Sequence, residues 1–375
     1  MLLGQDFALK KSAVRLKHCA RNRRFLWGVY PIGAFHGFNN DLTTSPRMKK
    51  HIVSFGGGLT PSLVDSLRNE FEVSVILKPD KDKIAFAKAI RNANGLIGGS
   101  VKLGSELLET AKHLEIISSI SVGYDNYDLN YLNRRGILLT NTPDVSTETT
   151  ADAGFALLMA TARRVVELAE YVKQGRWQQN IDHSLYGIDV HGKRLGIVGF
   201  GRIGQAVARR GHFGFEMKIS YWNRNPEAEA EKLKARFCNL DELMGDTDFI
   251  CVTLPLTAET EHLIGAREFA LMQPTAIFIN IARGRVVDEK ALVSALKHGQ
   301  IGAAGLDVFE QEPLATNSPL LTMPNVVATP HIGSATQETH KAMAELAVKN
   351  LSAGLRGERP ADLVNPSVWE RRHRS

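Results

Sequence analysis

Cysteine is scarce in this chain, with Cys19, Cys238 and Cys251 the three among 375 residues. An odd number at unrelated spacings argues against a disulfide framework and offers no zinc-ligand pattern. The expectation is a reducing, cytoplasmic setting and no metal. Long apolar runs are missing as well. The run FLWGVYPIGAF, residues 25–35, is too short and too broken to span a bilayer, so no membrane partner is expected. Acid is nearly absent from one end: residues 1–50 hold ten Lys or Arg against two Asp or Glu. The formal charge of +6 therefore comes from this end, and the other 325 residues carry −2. The body of the chain is not basic, and nucleic acid is not expected as a partner.

Residues 1–47 share the Arg-rich, acid-poor character of an organelle transit peptide but lack its serine enrichment and any clear amphipathic period. Met48-Lys49-Lys50 then leads into the strand-like HIVSF. The first 47 residues are read as a basic, disordered extension or as the product of a start codon set too early. A nucleic-acid or membrane-surface arm is the sharper alternative. The rest, within a chain 43% hydrophobic and 23% charged, is long enough for two domains with ordinary cores.

From His51 onward, apolar runs alternate with helical patterns. Strands are predicted at 52–55, 73–77, 95–98, 116–121 and 137–140, with helices at 61–71 and 83–92; Thr60-Pro61 suits an N-cap followed by proline in the first turn. A long helix is predicted over 147–175. A second series of strands follows at 194–199, 218–222, 249–253, 276–280, 302–307 and 326–328, and a final helix at 334–355 leads into a polar, Arg-rich end. This alternation predicts α/β architecture with two parallel sheets covered by helices.

The segment Leu195–Gly204, LGIVGFGRIG, ends an apolar run in a glycine-rich turn that opens a helical pattern over 202–213. In GxGxxG, Gly199 permits the tight turn, Gly201 lets backbone approach a pyrophosphate, and Gly204 lets helix pack on strand. The phosphates are expected at the helix N-terminus, where unpaired N–H groups and the helix dipole favour anions. About twenty residues beyond the turn, an NAD enzyme places an acidic residue to hold the ribose hydroxyls. Here the chain reads Asn223-Arg224-Asn225. With no carboxylate at 223 to repel a 2′-phosphate, and with the planar guanidinium of Arg224 suited to gripping one, NADPH is the expected cofactor. The turn lies mid-chain, so the first alternating unit is read as a substrate domain, 48–147 and 334–375. A Rossmann-like nucleotide domain, 148–333, is inserted into it. The active site is expected where the two meet.

Three groups stand at the ends of successive predicted strands. Arg283 follows strand 276–280 in IARGR and suits bidentate binding of a carboxylate, although Asp288 or Glu289 offers it an ordinary surface partner. GLDVFEQEP supplies Asp307, Glu310 and Glu312. His331 follows in PHIGSAT, and a carboxylate partner would hold it protonated as a general acid.

From His51 to Pro366 the chain resembles the D-2-hydroxyacid dehydrogenase family, through SVGYDNYDL, NTPDVSTETTAD, GIVGFGRIG, LPLT, INIARGRVVDE, GLDVFEQEP and PHIGSAT. Within that family it is most similar to the NADPH-preferring glyoxylate/hydroxypyruvate reductases, which include 2-ketogluconate reductases. The resemblance implies Arg283 as binder of the substrate carboxylate and carbonyl, Glu312 as the carboxylate that tunes the histidine, and His331 as general acid. It implies substrate-carboxylate donors on the loop after residue 98, namely Gly99, Ser100 and Val101, and at Gly123. For the cofactor it implies Gly199, Gly201, Arg202, Ile203 and Gly204 in the turn, Asn223 and Arg224 beyond it, and the backbone of 254–256 with Leu254 and Pro255. Ile281, Asp307 beside the nicotinamide carboxamide, and Gly333 complete that set. Use of NADH as well is left open, and a homodimer is implied. Two enzyme or binding alternatives share the fold: formate dehydrogenase, which replaces the glutamate that stands here at 312, and nucleotide-sensing corepressors, which keep the catalytic residues.

Overall fold

In a computed structural model of the chain, residues 49–99 and 101–373 are described. The extension read at 1–47, with Cys19, and the expected donor Ser100 lie outside them. The first five strands are β1 (His51–Phe55), β2 (Glu72–Ile76), β3 (Gly95–Gly98), β4 (Ile116–Ser119) and β5 (Leu138–Thr140). Among them run α1 (Pro61–Glu70), α2 (Lys83–Ile90), α3 (Ser105–Glu109) and α4 (Leu129–Arg135). After α5 (Thr147–Ala162) and α6 (Val165–Lys173) come β6 (Arg194–Val198), α7 (Arg202–Arg209), β7 (Lys218–Trp222), α8 (Glu229–Lys232), β8 (Arg236–Phe237) and α9 (Leu240–Asp246). The chain continues through β9 (Phe249–Val252), α10 (Ala266–Leu271), β10 (Ile277–Asn280), α11 (Glu289–Lys297), β11 (Ala303–Leu306), β12 (Val326–Ala328), α12 (Gln337–Arg356) and α13 (Pro366–Arg372).

Strands β3, β4, β9 and β10 are buried at every position. Continuous apolar runs of this kind are what a parallel sheet covered on both faces requires. Two such sheets form, every pairing parallel. The first has order β2-β1-β3-β4-β5, the flavodoxin-like arrangement. The second runs β12-β11-β10-β9-β6-β7-β8. Counted from its own first strand, that is the dinucleotide-binding order 3-2-1-4-5-6 with one strand more, and its order reverses between β6 and β9.

Caps fix where helices begin. Thr60 accepts from the Leu63 N–H and Pro61 opens α1, as the sequence suggested. Asp128, Asp288 and Thr336 cap α4, α11 and α12 in the same way. Helix α12 returns to the first sheet, packing on β3, β4 and β5 through Ala347, Leu351 and Leu355, with the Ser118 hydroxyl donating to the Ala347 carbonyl at 2.8 Å. Helix α5 packs on β10, β11 and α7 of the second sheet.

Four expectations are corrected. The long helix over 147–175 is broken into α5 and α6 at Arg164, which has φ +53°. Its guanidinium reaches across to Glu167 and to the Ser184 carbonyl, and these bonds hold the left-handed residue. The helix over 202–213 stops at Arg209 and continues as a π-helical turn, Arg210–Gly214. The exposed edge strand β8 was not anticipated. Nor was α13 in the polar end, which buries Val368 and sends Arg372 to the Glu115 and Gly136 carbonyls.

Candidate active site

The glycine-rich turn joins β6 to α7 at the point where strand order reverses. Gly199 has φ +96°, and a Cβ there would lie 2.8 Å from the Leu254 side chain. At Gly204 a Cβ would lie 2.2 Å from the Gly199 carbonyl oxygen, so helix and turn can meet only without one. Around Gly201 there is open space, and no side chain caps the N–H groups of α7. A bare helix N-terminus behind an approachable backbone fits a dinucleotide pyrophosphate. Thr253, not singled out from sequence, fastens the turn by donating to the Gly199 carbonyl. Arg202 pairs with Asp144, while Ile203 packs into the core below. Of the other expected cofactor residues, Leu254 lines the turn, the Pro255 carbonyl accepts from Thr260, and the Ile281 side chain points to α5, where Gly154 leaves it room.

At the end of β7 the structure amends the sequence reading. Asn223 donates from Nδ2 to the Glu227 carboxylate at 2.9 Å and to the Asn225 carbonyl at 3.2 Å. A carboxylate therefore does stand beside this position, brought back by the loop. Arg224 is exposed, and among the described residues no ion pair engages it.

His331 and Glu312 meet as expected. Nδ1 of His331 lies 2.7 Å from Oε2 of Glu312, and the other carboxylate oxygen accepts from the Phe309 N–H at 3.1 Å. The hydrogen bond to Glu312 raises the imidazole pKa above its ordinary value, against the opposing effects of burial and of the Arg283 charge. Burial pushes the Glu312 carboxyl up, but the bonds from His331 and Phe309 outweigh it and hold the carboxyl below its ordinary value. The His331 side chain remains 45% exposed.

His331 has φ +54°, and Asp307 secures the loop that carries it. Asp307 is 2% exposed; Oδ1 accepts from the Thr329 hydroxyl at 2.7 Å and the Ile332 N–H at 2.8 Å, and Oδ2 from the Gly333 N–H at 2.8 Å. Glu310 serves elsewhere, exchanging N–H bonds with Glu289 and meeting His262 at 3.0 Å.

Arg283 has neither of the surface partners offered by sequence, since Asp288 caps α11 and Glu289 binds Glu310. Its Nε donates to Asp125 at 2.9 Å and its Nη1 to the Ala282 carbonyl at 2.8 Å. Asn280, buried at the end of β10, donates to the Arg283 carbonyl and accepts from the Ala282 N–H. The guanidinium lies directly on Gly123, where a Cβ would fall 1.6 Å from Nη2. Gly99 sits against the Ile120 carbonyl, and the Val101 carbonyl accepts from Asn126 at 2.9 Å. Groups from both sheets thus converge: Gly123 and Asp125 after β4, Arg283 after β10, and His331 after β12. Among the described residues no group of three His, Cys, Asp or Glu could hold a metal ion.

Residues 155–333 match the family described as D-isomer specific 2-hydroxyacid dehydrogenase, NAD binding domain. A glyoxylate/hydroxypyruvate reductase B of Escherichia fergusonii is 54% identical over 309 residues, covering 82% of this chain and 95% of its own. The corresponding reductase B of Citrobacter koseri is 52% identical over 325 residues, covering 86% and 99%. The chain belongs to the D-isomer-specific 2-hydroxyacid dehydrogenases. Among solved structures, an NADPH-dependent glyoxylate/hydroxypyruvate reductase of Sinorhizobium meliloti, in complex with NADP and malonate, superimposes with a TM-score of 0.76 at 35% identity. It covers 84% of this chain and 97% of that one. A Thermus thermophilus protein gives 0.77 at 42% identity, covering 84% and 99%. This dehydrogenase is therefore an oxidoreductase built on two parallel-sheet α/β domains. Asp125, Asn280 and Thr253 are the site residues that reading the sequence did not single out. SVGYDNYDL contained Asp125, but its contact with Arg283 spans 158 positions.

Proposed function

We propose that this dehydrogenase reduces small 2-keto acids (glyoxylate, hydroxypyruvate and 2-keto-D-gluconate) to D-2-hydroxy acids, with NADPH as preferred reductant and NADH accepted. The observation that carries the reading is the 2.7 Å His331–Glu312 hydrogen bond on a loop whose neighbour, Arg283, presents a guanidinium against Gly123. The names of the curated relatives support the substrate class. In this reading residues 148–333 form the nucleotide domain, and 48–147 with 334–375 form the substrate domain. When bound, the reduced nicotinamide supplies a hydride to the keto carbon. Arg283 holds the substrate carboxylate and carbonyl, its grip strengthening as negative charge gathers on the oxygen. The backbone of Gly99, Val101 and Gly123 donates to the carboxylate. His331 gives the proton from Nε2 to the forming alkoxide, and Glu312 stabilises the imidazolium that precedes transfer. Gly199, Gly201 and Gly204 make room for the dinucleotide, and Arg224 offers its guanidinium to a 2′-phosphate.

The buried free thiols of Cys238 and Cys251 suit a reducing, cytoplasmic setting. A homodimer is part of the proposal. Helix α6 buries no residue, and Val165, Val166, Val172 and the following Trp177 are each at least half exposed, an apolar surface that a second copy would cover.

The test is oxidation of NADPH and NADH by the purified protein with glyoxylate, hydroxypyruvate and 2-ketogluconate in turn. Turnover with at least one of the three, faster with NADPH, is expected. Tight NADPH binding without turnover would overturn the reading in favour of a nucleotide-sensing binding protein.

A further inference from the structure

The strand end that decides cofactor choice is engaged by its own loop. Asn223 gives Nδ2 to two partners, the Glu227 carboxylate at 2.9 Å and the Asn225 carbonyl at 3.2 Å. Both partners are acceptors, so the amide cannot be turned round. Its donor group is committed, and Oδ1, an acceptor, is what remains. An acceptor suits a ribose hydroxyl but not a phosphate dianion. Glu227 is itself held in place: its N–H donates to the Tyr221 hydroxyl at 3.0 Å, and the Tyr221 ring stacks on Phe200, in the glycine-rich turn, at 4.1 Å. The Glu227 backbone is therefore tied through one buried ring to the nucleotide turn, and its carboxylate is held by Asn223.

We infer that Glu227 is a specificity-determining residue of this dehydrogenase, supplying from the loop the carboxylate that position 223 lacks. It favours the ribose hydroxyls of NADH and repels the 2′-phosphate of NADPH, so it opposes Arg224 in the adjoining position. NADPH preference is then the difference between two opposed charges, and NADH remains usable. This inference rests on the cofactor site proposed above.

The test is binding, not turnover. The full-length protein and E227Q are titrated with NADPH, NADH, 2′,5′-ADP and 5′-AMP, with affinity read from fluorescence or heat. The E227Q substitution keeps an acceptor for Asn223 and leaves the backbone bond to Tyr221 in place, so only the charge changes. E227Q is expected to tighten NADPH and 2′,5′-ADP about fivefold relative to NADH and 5′-AMP, with the gain shrinking at high salt. E227K is expected to move the ratio further in the same direction. An unchanged or lowered ratio in E227Q overturns the inference while leaving the cofactor site intact. A wild-type protein that binds neither dinucleotide overturns the site itself, and the inference with it.

Discussion

In the proposed reaction His331 must still carry its proton when substrate arrives, and its hydrogen bond to Glu312 favours the protonated form. With the imidazolium as the proposed proton donor, activity is expected to fall as pH rises through the His331 pKa, which the bond to Glu312 raises. Replacing Glu312 with Gln removes the charge and is expected to move that fall to lower pH; an unchanged profile of kcat/KM against pH would separate the two residues. Stability follows the same linkage. The raised His331 contributes fully below the ordinary histidine value and loses its contribution as pH climbs through the folded value. The lowered Glu312 contributes above the ordinary carboxylate value and loses it as pH falls through the folded one. The difference in Tm between wild type and E312Q should therefore be largest between these limits. Gly123→Ala makes a second residue-scale test. The added Cβ meets the side-chain ends of Arg283 and, at 3.1 Å, of Asp125, and no backbone, so Tm should hardly change while kcat/KM falls about tenfold or more through misplacement of the guanidinium. A large loss of Tm with normal kinetics would contradict the placement.

Elements carry these residues at fixed points, and the loop after β12 depends on one buried carboxylate. Asp307→Asn keeps one acceptor oxygen but would set its amide N–H group against either the Gly333 donor or the Thr329 and Ile332 donors. A loss of about 2 kcal/mol is expected in denaturant unfolding, together with a fall in turnover because His331 loses its support. The strands were legible because each is a short apolar run bounded by polar turns, and the glycine spacing of the β6–α7 turn announced its own geometry. What escaped was set by contacts distant in sequence. The apolar period runs unbroken through Arg164 with no glycine or proline to mark a stop; the break is made by bonds to residues twenty positions away. Strand β8 is two exposed residues without alternation. Arg283 and His331 could be read from their places after strands, Glu312 was one of three carboxylates there and was singled out by the family resemblance, and Asp125 needed the fold, since it follows a strand of the other sheet. Glu227 escaped for a subtler reason: position 223 was read for its own side chain and not for what that side chain binds.

At the scale of the whole molecule, Gly123 and Asp125 follow a strand of the first sheet while Arg283 and His331 follow strands of the second, so in the proposed reaction activity reports on their joint placement. In the proposed dimer the exposed apolar face of α6 is the surface that a second copy covers. Wild type is expected at dimer mass in sedimentation, and Val166→Glu should shift it toward monomer; a wild-type monomer would contradict the proposed dimer. The central claim is that His331, supported by Glu312 and placed opposite Arg283, is the proton donor of a 2-keto acid reductase. The most direct measurement is kcat/KM for glyoxylate reduction by His331→Gln beside wild type, with NADPH affinity measured on the same samples. A loss of at least about a hundredfold in kcat/KM with unchanged NADPH affinity is the expected result. Near-normal turnover in the variant would contradict the account.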